Sequence, residues 1–230
     1  MTPRRLLPGA LLPSRLLSTV HATSGGPIRS PEADYALDDP GWPAEVPTLL
    51  IAIFDDSGSV ISPSGTDPLA NRFAEVRHAF SVVARRGSRH ELGAVLHFDT
   101  PSRGEVGPVS LTRRGLLVLR WGLRVPADSA GSSELAPSLH RAIEIAGGHP
   151  EHKATLVVLS DFELLDPEPD RVLAKLTAFP GQVHAVVLGS RLPVGVLDER
   201  ITVTRIRQHD PPGAVARAVL ASLTTYRPKS

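Results

Sequence analysis

The sequence contains no cysteine, which excludes disulfide bonds, thiolate catalysis and cysteine-ligated zinc. Aromatic residues make up only 4% of the 230 residues, and lysine occurs only at Lys153, Lys175 and Lys229. No stretch approaches the roughly 20 consecutive apolar residues that a membrane-spanning helix needs. A net charge of +1 gives no overall field that would attract nucleic acid or an anionic membrane. What remains is the composition of an ordinary soluble globular protein, with 41% hydrophobic and 21% charged residues.

The scarcity of lysine beside abundant arginine, alanine, glycine and proline is typical of a GC-rich genome and favours a bacterial origin. The segment Met1–Pro31 carries four arginines and no acidic residue, so a targeting peptide has to be considered. Its apolar run, Leu6–Leu12, is interrupted by Pro8 and closed by Pro13 and Arg15. A secretory signal needs a longer uncharged run, so the sequence favours a cytoplasmic protein over a secreted one.

Residues 1–47 differ in composition from the rest of the chain. They hold eight of the 22 prolines and show no apolar periodicity, so they cannot build a core of their own. We therefore predict an N-terminal arm at 1–47 and a domain at 48–227. The stretch Glu32–Glu45 carries five acidic residues and no basic one. Its acids either solvate a linker that packs on the domain, or reach a binding site within the domain.

From residue 48 onward, short apolar runs alternate with stretches of helical periodicity. This alternation predicts an α/β fold with a doubly wound, mostly parallel sheet of Rossmann-like form and helices on both faces. In such sheets, ligands bind at the carboxyl ends of the strands. The predicted strands are 48–54, 92–98, 106–111, 155–159, 183–188 and 201–206, and the predicted helices are 69–83, 113–123, 135–146, 172–179 and 214–226.

Three polar clusters stand at the strand ends and helix starts where that rule places ligands. They are Asp55–Ser59 after the first strand, Gly131–Glu134 before a helix, and Ser160-Asp161 after another strand. Together they supply carboxylates and hydroxyls without sulfur or histidine, a ligand set that suits a hard cation such as Mg2+. Hydroxyls two residues apart in an extended loop can point the same way, and we expect Gly58 to permit a tight turn between Ser57 and Ser59.

The pattern Asp55-x-Ser57-x-Ser59, a hydroxyl residue before a helix and Asp161 after a later strand resembles the metal-ion-dependent adhesion site of von Willebrand factor A (VWA) domains. The resemblance spans about residues 48–226. It implies a Mg2+ or Mn2+ ion held by the hydroxyls of Ser57, Ser59 and Ser133, with Asp55 and Asp161 binding directly or through water. It also implies a protein-interaction module, not an enzyme, whose open metal position is filled by a partner's glutamate or aspartate.

Two features depart from the family pattern. Ser133 stands where the family usually has threonine, and an alignment shifted by one residue would make Ser132 the ligand instead. Phe162 follows Asp161 where many members have glycine. This Ser-Asp-Phe form resembles bacterial members that work beside MoxR-type AAA+ ATPases, which implies an AAA+ ATPase as a partner.

Each cluster also has a purely structural interpretation. Asp-Ser-Gly-Ser is common in turns, Ser133 alone is more typical of a helix N-cap, and Asp161 alone could cap or pair with an arginine. Two other functions remain open. A haloacid-dehalogenase-type phosphohydrolase also places an aspartate after its first strand, but it needs a second carboxylate two residues on, where this chain has Ser57. The domain could also be a metal-free VWA scaffold.

Overall fold

The computed structural model describes residues 35–67, 71–189, 196–207 and 209–229. Its strands are β1 (Thr48–Phe54), β2 (Glu91–His97), β3 (Val106–Ser110), β4 (Lys153–Ser160), β5 (Gln182–Leu188) and β6 (Thr202–Ile206). They form one six-stranded sheet with the order β3-β2-β1-β4-β5-β6. All neighbouring strands are parallel except β2 and β3, which are antiparallel. The predicted mostly parallel α/β fold is therefore confirmed.

The helices are α1 (Gly58–Ile61), α2 (Asn71–Arg85), α3 (Arg113–Gly122), α4 (Ala136–Gly147), α5 (Pro169–Thr177) and α6 (Ala214–Leu223). They cover both faces of the sheet, because alternate residues of the central strands point in opposite directions. In β1, Leu50 and Phe54 pack with α2, α3 and α6, whereas Leu49, Ile51 and Ile53 pack with α4 and α5. This burial on both faces explains why β1 is continuously apolar.

The strand register brings the polar clusters to one edge of the sheet. Phe54, the last residue of β1, is paired with His97 of β2 on one side and with Leu159 of β4 on the other. The residues that follow these three positions therefore leave the sheet side by side. Asp55 and Asp161 stand at this carboxyl edge, as does Asp99, which comes two residues after β2.

The element bounds differ from the predicted ones mainly at the ends. The single helical turn α1 was not predicted, since four residues give too little periodicity to recognise. Leu69, the first residue of the predicted helix 69–83, lies outside the described residues. No helix in the described ranges is long and apolar enough to cross a membrane. Residues 33–230 form one compact unit, whereas the boundary near residue 47 stays a prediction.

Candidate metal centre

Three candidate ligands lie in the loop that follows β1. The Asp55 side chain is buried, and its Oδ1 accepts a hydrogen bond of 2.9 Å from the backbone N–H of Ser57. The hydroxyl oxygens of Ser57 and Ser59 lie 3.0 Å apart. They converge because Ser57 is the N-cap of α1 and Ser59 is part of that turn. The prediction that Gly58 is needed for a tight turn between these two serines is wrong. Gly58 has no positive φ, and a Cβ at this position would meet nothing within 4 Å, so a residue with a side chain would also fit.

The spacing of the two hydroxyls matches the geometry of a magnesium site. Ligands at right angles around Mg2+, each about 2.1 Å from the ion, are separated by about 3 Å. The 3.0 Å between the Ser57 and Ser59 oxygens equals one edge of such an octahedron. The same two oxygens form a hydrogen bond with each other, so they already occupy neighbouring positions on one side of the loop.

Ser160 and Asp161 complete the edge of the sheet beside Asp55. The Ser160 hydroxyl donates a hydrogen bond of 2.5 Å to Asp55 Oδ2 and accepts one of 2.8 Å from the N–H of Phe162. Asp161 is buried, and its Oδ1 accepts a hydrogen bond of 3.0 Å from the N–H of Glu163. Phe162 has φ 59°, a left-handed conformation that is rare for a bulky residue. The chain therefore turns sharply immediately after Asp161.

The carboxylate of Asp55 forms no ion pair in the described part of the chain. Burial raises the pKa of Asp55 from 3.8 to about 6. Hydrogen bonds from Ser160 and Ser57 lower this pKa, whereas the negative charge of Asp161 raises it. Within the described part of the chain, no arginine, lysine or histidine pairs with either carboxylate. Two buried carboxylates without a counter-charge form a site that a bound cation would neutralise.

The loop that carries the second cluster is organised around the carboxylate of Asp99. This carboxylate accepts hydrogen bonds from the Ser129 hydroxyl and from the N–H groups of Ala130, Gly131 and Ser132, at 2.8 to 3.1 Å. Burial opposes ionisation, but these four donors hold the pKa of Asp99 below its ordinary value. Gly131 adopts φ 72°, which the tight wrapping of the loop requires.

Backbone contacts join the three clusters into one site. A Cβ on Gly131 would lie 3.8 Å from the carbonyl oxygen of Asp56 and 4.0 Å from the nitrogen of Gly58, so the second loop lies against the first. The N–H of Leu165 donates a hydrogen bond of 3.1 Å to the carbonyl oxygen of Ser133, which joins the third loop to the second. Three segments far apart in sequence therefore meet at the carboxyl edge of the sheet.

Ser132 and Ser133 have different environments. The Ser132 hydroxyl accepts a hydrogen bond of 3.0 Å from the backbone two residues on. The partly exposed Ser133 side chain makes no hydrogen bond in the described part of the chain. Ser133 does not cap a helix: α4 has Leu135 at its N-cap, and Asp166 accepts hydrogen bonds of 2.9 Å from the N–H groups of Leu135 and Ala136. The hydroxyl of Ser133 is thus free to bind a ligand.

A buried ion-pair network holds the loop after β1 in place through Asp55 and Asp56. The Arg72 guanidinium donates to Asp56 Oδ1 and to the carbonyl oxygen of Asp55, each at 2.9 Å, and to Asp67 Oδ2 at 2.8 Å. His97 Nδ1 lies 2.6 Å from Asp56 Oδ2. Arg72, Asp56 and His97 are all at most 1% exposed. Both oxygens of the Asp56 carboxylate are therefore already bound, one by Arg72 and one by His97.

Sequence reasoning missed several residues that shape the site. Asp99 follows the end of β2 almost directly, so the strand-end rule that selected Asp55 and Asp161 could have found it. Arg72 and Asp166 carry no comparable signal, because an isolated arginine or aspartate in a helix or loop is usually a solvated surface residue. Their roles depend on contacts between segments distant in sequence.

The donor set fits magnesium better than a metal that needs many charged ligands. In the described residues, no three side chains of the His, Cys, Asp or Glu type are grouped as metal ligands. The candidate site offers two carboxylates, Asp55 and Asp161, and otherwise hydroxyls. Mg2+ characteristically keeps several waters and takes one or two protein carboxylates, so this set suffices for it.

Comparison with solved structures identifies proteins that share this fold. No family model and no curated protein matches the chain. Solved structures do: a von Willebrand factor type A protein from Catenulispora acidiphila is 16% identical with TM-score 0.57, covering 78% of this chain and 42% of that one. The pilus adhesin SpaC of Lactobacillus rhamnosus GG is 13% identical with TM-score 0.55, covering 80% and 30%. Proximal thread matrix protein 1 from the mussel byssus is 17% identical with TM-score 0.51, covering 79% and 48%.

These similarities concern architecture. The chain has the fold of a von Willebrand factor A domain, and it spans less than half the length of each of these three proteins.

Proposed function

We propose that this protein is a divalent-cation-dependent interaction module that binds an acidic residue of a partner protein through Mg2+ or Mn2+. The proposal rests on one observation: two buried carboxylates that form no ion pair in the described part of the chain lie at the carboxyl edge of the sheet, together with two hydroxyl oxygens 3.0 Å apart. Ser57, Ser59 and Ser133 would hold the ion through their hydroxyls. Asp55 and Asp161 would hold it directly or through water. The bound cation supplies an electrophilic position for a carboxylate oxygen.

The hydrogen bonds of the site support this assignment of ligands. Ser133, in preference to Ser132, is the ligand of the second loop because only its hydroxyl is free of hydrogen bonds in the described part of the chain. Asp99 acts through the loop: its four hydrogen bonds hold the backbone next to Ser133 in place. A preorganised loop of this kind reduces the ordering cost of binding.

The partner supplies a glutamate or aspartate, and the Ser-Asp-Phe sequence at 160–162 makes an AAA+ ATPase our specific candidate. The domain itself is proposed to be non-catalytic. Phosphohydrolase chemistry has no support in the site, because Ser57 occupies the position of the required acid and the adjacent Asp56 is bound to Arg72 and His97. The alternative is a metal-free scaffold, and a metal-binding experiment distinguishes it from the metal-dependent interaction module.

A thermal shift experiment tests the metal. Millimolar Mg2+ or Mn2+ stabilises only the folded state, so the wild-type melting temperature should rise by about 2–4 °C relative to EDTA. Asp55→Asn and Ser57→Ala should fold and lose the response. Ser64→Ala is the matched control, since this exposed serine lies in the same loop without touching the candidate ligands. Wild-type protein that gives no calorimetric response to millimolar metal would indicate a metal-free scaffold.

A pulldown tests the partner. Immobilised wild-type domain should retain a protein from native lysate in Mg2+ and release it in EDTA, and the Asp55→Asn domain should retain none of it. The retained protein should lose binding when its contacting glutamate or aspartate is changed to the amide. Retention that is equal in Mg2+ and EDTA would refute the metal-bridged mode while leaving the fold unaffected.

A further inference from the structure

The outer face of α3 carries large apolar side chains that nothing in the described part of the chain covers. Leu117, Val118 and Trp121 are 59%, 46% and 64% exposed, whereas Leu116 and Leu119 on the inner side are buried in the core. Leu117 and Trp121 are four residues apart, so they lie next to each other along one ridge of the helix. Exposed apolar patches on a folded domain mark sites of interaction.

The same face is strongly basic. Arg113, Arg114, Arg120 and Arg124 are exposed, and the sequence from 113 to 125 contains no acidic residue. The ion pairs found among the described residues involve none of the four. The guanidinium carbon of Arg124 lies 4.7 Å from the centroid of the Trp121 ring. The face therefore has at least four unpaired positive charges around an apolar ridge.

Two exposed arginines on other helices, in contrast, form ion pairs with acidic residues. Arg141 pairs with Glu144 at 3.0 Å, and Arg171 pairs with Glu168 at 3.3 Å, each on its own helix or at its start. The segment 113–125 has no acidic residue that could pair in this way, and the net charge of +1 does not reveal this local concentration of positive charge.

We infer that the exposed side chains between Arg113 and Val125, here called the α3 face, form a peripheral binding surface for anionic phospholipid membranes. Guanidinium groups bind phosphate in bidentate geometry, and tryptophan favours the boundary between headgroups and acyl chains. Helices that lie in the membrane interface combine basic residues with Trp and Leu in this way. The inference is independent of the metal site and needs no membrane-spanning segment.

The composition of the α3 face argues against other occupants. Two copies of the face would bring eight arginines together, so self-association through it is opposed by charge. Nucleic acid would use the arginines and Trp121, but Leu117 and Val118 offer bases neither a stacking surface nor a hydrogen bond. An acidic protein could match the charge, and the experiment below distinguishes it from lipid.

Tryptophan fluorescence tests the inference, because the chain has only Trp42 and Trp121. A full-length Trp42→Phe variant keeps an aromatic ring beside Arg86 and leaves Trp121 as the only tryptophan. Vesicles with about one-third phosphatidylglycerol in phosphatidylcholine should shift its emission to the blue and carry the protein into the pellet. Pure phosphatidylcholine vesicles should do neither. Raising NaCl from about 0.1 to about 0.5 M should weaken binding at least several-fold, since salt screens the arginines.

Charge reversal on the α3 face provides the matched comparison. Arg120→Glu with Arg124→Glu should weaken vesicle binding about tenfold or more, since each basic residue near the surface contributes appreciably. Arg141→Glu with Arg171→Glu changes the net charge equally on other helices and should weaken it far less. Trp121→Ala should reduce pelleting in the otherwise unchanged protein. Thermal melts of all variants check that they remain folded.

Three results would overturn the inference. One is the absence of a Trp121 shift with the anionic vesicles at low salt. Another is equal binding by the α3 double variant and the Arg141/Arg171 control. The third is a Trp121 shift produced by polyglutamate but not by vesicles, which would assign the face to an acidic protein.

Discussion

Asp55 illustrates how a single residue can be unfavourable for the isolated fold and necessary for the proposed function. The residue is 1% exposed, and its carboxylate lies near the negative charge of Asp161 with only neutral donors, Ser57 and Ser160, as partners. A carboxylate in this position costs stability when it ionises. We attribute its presence to the cation that the proposed function requires.

Replacing Asp55 by asparagine should therefore stabilise the metal-free domain at neutral pH. Asparagine can accept from the Ser57 N–H and donate to the Ser160 hydroxyl. The folded-state pKa of Asp55, about 6, lies above the unfolded value of 3.8. The native state thus binds this proton more tightly, so ionisation of Asp55 should lower wild-type stability as pH rises from about 4 to about 6. The loss corresponds to about 3 kcal/mol at pH 7.

Urea unfolding in EDTA at pH 5 and pH 7.5 measures this effect. The stability advantage of Asp55→Asn over wild type should grow from pH 5 to pH 7.5, and saturating Mg2+ should reduce or reverse it. An advantage that is independent of pH would contradict the raised pKa of Asp55.

At the scale of elements, the described part of the N-terminal arm packs on the domain. The Tyr35 ring contacts His78 of α2 at 5.4 Å between centroids. Burial, with the nearby charge of Glu75, raises the pKa of Tyr35 to about 12. Gly213 has φ 88°, and a Cβ there would overlap the Tyr35 ring. The arm thus enters along α2 and the start of α6.

Asp39, in the described portion of the acidic stretch, lies away from the candidate metal site. Asp39 pairs with Arg86 at 2.8 Å, just after the C-terminal end of α2. The carbonyl oxygen of Arg86 accepts a hydrogen bond from Arg227, which also binds Glu91 at the first residue of β2. Asp39 is therefore at the amino edge of the sheet, opposite to Asp55. This geometry supports the interpretation that the acidic stretch belongs to a linker packed on the domain, and not the interpretation that its acids reach the binding site.

Deletion of residues 1–44 should accordingly destabilise the domain without strengthening metal-dependent partner binding. The loss of Tyr35 and Leu37 from the surface of α2 and the core should cost about 2 kcal/mol or more in urea unfolding. Asp38→Asn with Asp39→Asn should cost less than about 1 kcal/mol, because the pair with Arg86 is exposed. Tighter partner binding after deletion would instead support occupation of the site by the arm.

At the scale of the whole molecule, Glu91 and Arg227 connect both ends of the described chain to the sheet. The two side chains are 1% exposed and share two hydrogen bonds of 2.6 Å. Glu91 also accepts hydrogen bonds from the N–H groups of Ser88 and Ala44. The C-terminal segment, the arm and the start of β2 therefore depend on one buried ion pair.

Arg227→Met should lower the free energy of unfolding by about 3–5 kcal/mol, since it leaves the Glu91 carboxylate buried without its counter-charge. Adding Glu91→Gln should restore part of the loss, because the amide carries no charge. Urea unfolding of both variants at neutral pH measures the difference. A double variant as unstable as Arg227→Met would show that lost packing, not the uncompensated charge, causes the effect.

Much of the fold could be predicted because its causes are local. The continuous apolar run Thr48–Phe54 and the apolar residues recurring at three- and four-residue spacing in 73–83 follow from burial on two faces and on one face respectively. The candidate ligands could also be predicted from the sequence, because they are polar residues that directly follow continuously apolar strands or precede a helix. The short turn α1 was missed, and with it the reason why Ser57 and Ser59 converge.

The sequence by itself determined the α/β class, the sheet edge that carries the polar clusters and the identity of the candidate ligands. These follow from periodicity and from residue order, which act over a few positions. Only the tertiary structure decided that Asp166 caps α4 in place of Ser133, that Asp99 holds the second loop, and that Arg72 and His97 bind Asp56. Each of these contacts joins segments 16 to 41 residues apart in sequence. A charged side chain pairs with whichever group the fold brings next to it, and no local sequence pattern encodes that proximity.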